Sequence, residues 1–227
     1  MIWSRTDNRT IETALRRGAA AARPGEPNAR AATAGRRESR HAAEAAARLT
    51  RRIADEGLAD VTYAPAESPF GTLLLAATSR GLVRVAFPEE SPDTMLEGLA
   101  RRISPRIVEA RGPLDEVRRE LEQYFSGRRR GFELALDWRL VAPFGRRVLA
   151  VTSQIPYGGV LSYAEVAADA GSPRGSRAAG NALGANPMPI VIPCHRVLRS
   201  GGALGGYGGG IQRKRWLLEL EGALPPA

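Results

Sequence analysis

Large apolar side chains are scarce in the first 57 residues of this 227-residue chain and become frequent only beyond them. The early segment is rich in alanine and arginine, and proline and glycine at 24–27 and 35 interrupt its helical stretches. Such a segment buries too little apolar surface to build a core. We therefore predict a solvated basic tail and then one helix over about 38–56. Contact with DNA phosphates and a role as a targeting peptide are weaker alternatives for the tail. A packed fold is expected only after residue 57.

Residues 58–140 carry the pattern of an α+β domain. Runs of β-branched and apolar residues alternate with turn residues, which predicts three antiparallel strands joined by tight turns. Two later stretches have apolar residues at helical spacing. The predicted strands are 61–63, 72–77, 82–87, 107–109 and 132–136, and the predicted helices are 94–102 and 113–125. No catalytic cluster is visible in this part.

Residues 141–227 predict a second, mainly helical domain, with helices at about 144–154 and 212–220. Ser162 and Glu165 have the spacing of a capping box, which predicts a short helix that reaches about Ala170. The break at 171–173 and another helix at about 175–184 complete a helix-turn-helix unit. This second helix begins with Arg174, Ser176 and Arg177 and continues with small residues from Ala178 onward. Small residues allow close approach to a nucleic-acid backbone or to another helix, and both remain open.

The chain has one cysteine, Cys194, and His195 follows it directly. A lone cysteine excludes an internal disulfide and a multi-cysteine zinc site. Free cysteines are often buried and inert, but a neighbouring base or positive charge lowers the pKa of a thiol and makes it a nucleophile.

The net charge of the chain is +9. This charge favours a polyanionic partner such as nucleic acid, although a gain in solubility explains it equally well.

Two further absences in the sequence narrow the class of protein. No apolar run approaches the roughly 18 residues of a membrane span, and no secretory signal is visible, so we expect a cytoplasmic protein with no membrane partner. The glycine-rich stretch 201–210 lacks the lysine and hydroxyl residue of a nucleotide phosphate loop. Its glycines are better suited to bring backbone NH groups close to a planar ligand.

The segment Pro193-Cys-His-Arg-Val197, with Asn186-Pro187 before it and Tyr207-x-Gly-Gly after it, resembles the O6-alkylguanine-DNA alkyltransferase family. The resemblance covers about 61–222, is strongest from Ile155 onward, and includes the ending Trp216-Leu-Leu-x-x-Glu-Gly222. It implies a ribonuclease-H-like α+β domain followed by a helical domain that binds double-stranded DNA through its helix-turn-helix. It also implies irreversible alkyl transfer from O6 of guanine, and O4 of thymine, to the cysteine, once per molecule and without cofactor or metal.

The family's functional residues carry over one by one onto matching positions. The resemblance implies that Cys194 accepts the alkyl group, that His195 is the base acting through a water, that Glu221 orients this histidine and that Asn186 braces the active-site turn. The residues expected to bind the extruded base are Tyr163, Arg177, Leu183, Pro189, Val197 and Tyr207, and Arg177 is expected to fill the gap that the base leaves. The residues expected to contact DNA are Arg174, Ser176, Arg177, Ala178 and Arg196.

Two other classes of function stay open at this point. A DNA-binding sensor would signal damage to a partner domain, for which residues 1–57 are too simple in composition. A cysteine hydrolase would turn over and would need an oxyanion hole. For the alkyltransferase we expect a monomer that acts alone or cooperatively along DNA containing O6-alkylguanine.

Overall fold

The computed structural model describes residues 56–225, together with 41, 44–45, 48–49 and 52–53. The predicted basic tail lies outside the described residues. The predicted helix at 38–56 lies partly outside them, and the seven residues described between 41 and 53 are helical. Residues Arg48–Ala227 form one compact unit, to which every feature below belongs. No helix among the described residues is long and apolar enough to cross a membrane.

A four-stranded sheet forms the first half of this unit, in the order β3-β2-β1-β4. Strands β1 (Val61–Ala66), β2 (Leu73–Thr78) and β3 (Gly81–Ala86) are antiparallel neighbours, which confirms the predicted hairpins. Strand β4 (Ile107–Glu109) pairs with β1 in parallel. This direction requires a crossover connection between the two strands.

Two helices cover the opposite faces of this sheet. Helix α1 (Pro92–Arg102) packs Met95 and Leu99 against one face, and helix α2 (Asp115–Phe125) packs against the other. Alternate residues of β2 separate accordingly, because successive side chains of a strand point to opposite faces. A short 3-10 turn, Gly112–Leu114, precedes α2. The faces thus form two separate apolar clusters, and only the one under α2 continues into the second half.

The strand predicted at 132–136 is wrong. This segment is extended but pairs only through one bridge, in which Leu82 N donates to Ala135 O (2.9 Å) and Asp137 N donates to Leu82 O (2.8 Å). It crosses the start of β3 so closely that a Cβ on Gly81 would lie 2.1 Å from Ala135 O. The 3-10 turn Trp138–Leu140, capped by the Asp137 side chain, then leads the chain away before further pairs form.

Four helices form the second half: α3 (Pro143–Ser153), α4 (Tyr163–Asp169), α5 (Ser176–Gly184) and α6 (Ile211–Leu220). The predicted capping box starts α4, since Glu165 N donates to Ser162 Oγ (3.2 Å) and Ser162 N donates to Glu165 Oε2 (2.6 Å). Helices α4 and α5 are the predicted helix-turn-helix. A two-stranded parallel pair, β5 (Leu161–Ser162) and β6 (Val197–Leu198), joins this unit to the cysteine segment.

The two halves share one apolar cluster, which contains residues of α2, α3 and α6 as well as Cys194. A backbone hydrogen bond from Val85 N to Pro187 O (2.8 Å) also links β3 to the loop before the cysteine. Apolar spacing in the sequence predicts Trp216, Leu217 and Leu220 as the core face of α6, and the structure changes this set. Leu217 is buried as expected, but Leu218 and Lys214 are buried beside it, whereas Trp216 and Leu220 are only partly buried.

Candidate active site

Asn186 braces the loop that leads to Cys194. Its side-chain Nδ2 donates to Ile192 O (3.0 Å) and lies 3.2 Å from Cys194 Sγ, while its Oδ1 accepts from Met188 N (3.0 Å). One side chain thereby ties the beginning, the middle and the end of the loop together. The thiol is held at a fixed place, and an amide NH is directed at its sulfur.

This loop contains a strained backbone position. Ile190 has φ of 76°, in the left-handed region that a β-branched residue rarely adopts. Such a residue costs on the order of 1–3 kcal/mol and persists only where the surrounding structure fixes it. Here Ile190 is fully buried, and Ile192 N donates to Met188 O (2.9 Å) across it. The loop is therefore stabilised from several sides in a conformation that presents Cys194.

Cys194, His195 and Arg196 form a 3-10 turn, and all three side chains are buried. His195 is fully buried, and its Nε2 lies 3.0 Å from Glu221 Oε1. An ionised carboxylate only accepts hydrogen bonds, so Nε2 carries the proton and Nδ1 is left as the acceptor. Nδ1 is buried with no protein partner among the described residues. Burial lowers the pKa of His195 despite the opposing effect of Glu221, so the imidazole is neutral and free to take up a proton.

Glu221, just beyond α6, is surrounded by donors. Arg196 reaches both of its oxygens, from Nη2 to Oε1 (2.8 Å) and from Nε to Oε2 (2.9 Å), and Gly158 N donates to Oε2 (3.3 Å). Burial alone would raise the pKa of Glu221, but hydrogen bonds from His195 and Arg196 outweigh it and lower the pKa to about 2. The carboxylate therefore stays ionised and orients His195 without taking its proton.

The expectation that Arg196 contacts DNA is wrong. The residue is only 5% exposed, and its third nitrogen, Nη1, donates to Ile155 O (2.5 Å). All of its guanidinium nitrogens are thus occupied inside the protein. A carboxylate 25 residues away in sequence holds Arg196 in the core.

The thiol itself is protonated at rest. Burial raises the pKa of Cys194 to about 11, whereas the hydrogen bond from Asn186 and the positive charge of Lys214 act in the opposite direction. Thiolate chemistry therefore needs a base at the moment of reaction. His195 is the adjacent group with a free acceptor nitrogen.

Lys214 lies fully buried on α6, and sequence reasoning missed it. Its Nζ donates to Val197 O (2.5 Å) and to Gly206 O (3.4 Å), and it lies 5.8 Å from the centre of the Tyr163 ring. Burial lowers its pKa to about 8, while the negative charge of a Cys194 thiolate would act in the opposite direction. The signal was present in the sequence, because Lys214 precedes Leu217 and Leu218 by three and four residues and so shares their helix face.

Two cavities meet at Cys194. One, of about 320 Å³, includes Tyr163 and Arg199 in its lining, and the other, of about 570 Å³, includes Pro189 and extends to Phe87 on the sheet half. Cys194 lines both, as do Leu183, Gly184, Tyr207 and Gly208. A flat ligand entering either cavity would reach the thiol beside Leu183 and Tyr207. No group of three or more His, Cys, Asp or Glu side chains within the described residues could hold a metal ion.

The family models match both halves of the chain. Residues 61–138 match the ribonuclease-like domain of 6-O-methylguanine DNA methyltransferase, and residues 143–223 match its DNA-binding domain. A methylated-DNA–protein-cysteine methyltransferase of Mycobacterium bovis is 39% identical over 167 residues, which cover 74% of this chain and 96% of that protein.

The chain belongs to the methylated-DNA–protein-cysteine methyltransferase family.

Other members of the methyltransferase family are similar to this chain over the same part of its length. The constitutive enzyme of Bacillus subtilis is 35% identical and covers 70% of this chain and 94% of its own length. A crystal structure of Mycobacterium tuberculosis OGT in complex with DNA superposes with a TM-score of 0.63 at 38% identity, covering 73% of this chain and 96% of that one. The two matched ranges lie inside the predicted domains 58–140 and 141–227, and residues 1–57 lie outside both.

The residues predicted to bind the base fall mostly around the two cavities. Tyr163, Leu183 and Tyr207 line the smaller cavity, and Pro189 lines the larger one. Val197 is fully buried in β6, and its carbonyl already accepts from Lys214. A carbonyl oxygen has a second lone pair, so a contact with a base amine is still available to it.

The remaining predicted DNA contacts lie together at the start of α5. Arg174, Ser176, Arg177 and Ala178 are all exposed, whereas Ala179 is fully buried and packs the helix onto the core. The exposed end of this helix is thus free of the core and lies in the part of the chain that matches a DNA-binding domain. Arg177 lies on the outer surface and lines neither cavity.

Proposed function

We propose that this chain repairs O6-alkylguanine in double-stranded DNA by moving the alkyl group onto Cys194, once per molecule. The observation that carries the proposal is Cys194 at the junction of two cavities, next to a neutral His195 that Glu221 holds with one acceptor nitrogen free. A nucleophile, a base and a group that orients the base form the general arrangement for nucleophilic catalysis. The family's DNA-binding domain supports DNA as the partner.

The proton leaves the thiol through His195. A water between Cys194 Sγ and His195 Nδ1 would satisfy the buried, unpartnered nitrogen and carry the proton across. Ionised Glu221 stabilises the imidazolium that forms. The pKa of Glu221 stays low because Arg196 donates to both of its oxygens. This explains how a thiol with a raised pKa reacts near neutral pH.

The transfer step forms one bond and breaks one. The Cys194 thiolate attacks the alkyl carbon and forms a thioether, while the bond from that carbon to O6 breaks and its electron pair goes to the base. The proton released from the thiol balances the charge on the restored guanine. Because water does not hydrolyse a thioether under mild conditions, the protein is consumed in the reaction and needs no cofactor.

The lesion must leave the duplex to reach a thiol that is only 7% exposed. Extrusion of a base costs a few kcal/mol, and insertion of Arg177 into the gap offsets part of this cost. The exposed start of α5 then contacts the backbone of the minor groove through Arg174 and Ser176. We propose that a monomer does this in the cytoplasm, alone or cooperatively along DNA.

The test is the stoichiometry of repair. Purified protein is mixed with excess duplex containing one O6-methylguanine, and the remaining lesion is counted after digestion to nucleosides. We expect one lesion lost per protein molecule, with guanine restored, and no loss with Cys194→Ser. Continued turnover would favour a hydrolase. Tight binding to the lesion without any loss would favour a damage-binding module.

A further inference from the structure

Tyr124 reaches the catalytic pair from the other half of the molecule. It belongs to α2 of the ribonuclease-like half and is fully buried. Its hydroxyl donates to Glu221 Oε1 at 2.6 Å, across 97 residues of sequence, and lies 3.5 Å from His195 Nε2. Oε1 is the oxygen that accepts from His195 as well. The hydroxyl therefore sits at the edge of the hydrogen bond that orients the base.

Packing does not explain this hydroxyl. The Tyr124 ring already contacts Phe132, Phe125 and Tyr157, with ring centres 5.2, 5.6 and 6.2 Å away. A phenylalanine ring would fill the same space without the cost of burying a hydroxyl. The hydroxyl is thus present for the hydrogen bond to Glu221.

The Tyr124 hydroxyl is not needed to balance the charge of Glu221 either. Arg196 donates to both oxygens of the carboxylate and Gly158 N to one of them. What the hydroxyl adds is a short bond to the oxygen that His195 uses. It fixes the direction of that oxygen, and it withdraws electron density from it.

We propose that Tyr124 is a positioning residue for the His195–Glu221 pair, so that both halves of the chain build the proton path of the methyl transfer. The proposal rests on the proposed function and adds a role for the ribonuclease-like half. Without the hydroxyl, Oε1 turns more freely and His195 loses its fixed orientation. The same oxygen also becomes a better acceptor, which favours protonated His195.

Both effects can be measured with Tyr124→Phe. The rate constant for methyl transfer is followed with protein in excess over a duplex carrying one O6-methylguanine, from about pH 5 to about pH 9. We expect a plateau rate lower by about tenfold, as for a lost hydrogen bond to a charged group, and an acid limb that moves to higher pH. The groups facing His195, which are Glu221, Arg196, Lys214 and Tyr207, are unchanged in this variant.

Tyr157→Phe is the matched control. It removes the same atom from a neighbouring tyrosine, whose hydroxyl donates to Leu220 O (2.9 Å) and makes no hydrogen bond with His195 or Glu221 in the described structure. We expect its acid limb to coincide with that of the parent. A fluorinated tyrosine at 124 has a stronger donor hydroxyl in the same place. It should move the acid limb to lower pH, opposite to Tyr124→Phe.

A second readout is independent of DNA and of activity. The chain has two histidines, so His195 is readily distinguished from His41 in an NMR titration of the free protein. We expect the pKa of His195 to rise in Tyr124→Phe and to fall with fluorotyrosine. An unchanged pKa and an unchanged pH–rate profile in a folded variant would overturn the proposal. A parent protein that transfers no methyl group would instead contradict the proposed function.

Discussion

Replacing Arg196 by methionine should destabilise the protein strongly, although the position lies in the motif around the nucleophile. Methionine keeps the length of the side chain but removes two hydrogen bonds to Glu221 and one to Ile155 O. Both partners of the ion pair are nearly inaccessible, at 6% and 0% of their side-chain surface. The variant therefore leaves a carboxylate in the core without its cation.

The expected loss follows from the hydrogen bonds that hold buried Glu221 in its ionised form. Hydrogen bonds from His195 and Arg196 lower its pKa from 4.5 to about 2, and at about 1.4 kcal/mol per pKa unit this corresponds to about 3 kcal/mol of favourable interaction, which the two partners share. Removing one partner of a buried ion pair costs about 3–5 kcal/mol in other proteins. We therefore expect a loss of about 3–5 kcal/mol, a large part of the 5–15 kcal/mol that is typical of a domain.

Urea unfolding at neutral pH, followed by tryptophan fluorescence, measures this loss. Arg215→Met is the matched control, because Arg215 is half-exposed and pairs with Glu219 on the surface of α6 at 3.5 Å. That pair is expected to contribute less than about 1 kcal/mol. If Arg196→Met loses no more than the control, the buried network is not the role of Arg196. If the slope of DNA affinity against salt concentration falls by about one in Arg196→Met, as for the loss of one phosphate contact, Arg196 contacts DNA after all.

Three further changes test other parts of the site. Gly209→Ala should lose about 1–3 kcal/mol in urea unfolding, because its Cβ would lie 2.5 Å from the Phe87 ring; unchanged stability would contradict this contact. Lys214→Met should raise the pKa of the Cys194 thiol, measured by thiolate absorbance, since the lysine charge lowers it; an equal or lower pKa would contradict this. The stability that ionised Glu221 provides should be present above about pH 4.5 and be lost as pH falls towards about 2; acid unfolding with Glu221→Gln as reference measures it.

Local patterns predicted most of the elements. The capping box at Ser162 and Glu165 involves neighbours in sequence, and alternation with turn residues placed β1, β2 and β3 to within a few residues. The segment 132–136 has the same alternation, yet it forms no strand, because only one residue of β3 is within reach of its backbone. Alternation predicts an extended chain, whereas strand pairing also requires a distant strand to run alongside it.

The catalytic motif was predictable, but its surroundings were not. Cys194 and His195 are adjacent, and the family resemblance supplied Glu221 and Asn186. Arg196 stands in the same motif, yet its burial depends on a carboxylate beyond a loop and a helix. Tyr124 lies within the helix predicted at 113–125, but its hydroxyl acquires a partner only through packing of α2 against the second half. Such contacts over 97 residues leave no periodic signal in the sequence.

The mass of the intact protein after reaction tests the account most directly. Protein mixed with duplex containing one O6-methylguanine should gain the mass of a single methyl group, located in the peptide that contains Cys194, and Cys194→Ser should gain nothing. An unchanged mass, or a methyl group on any other residue, would contradict a buried thiol activated by His195 and Glu221.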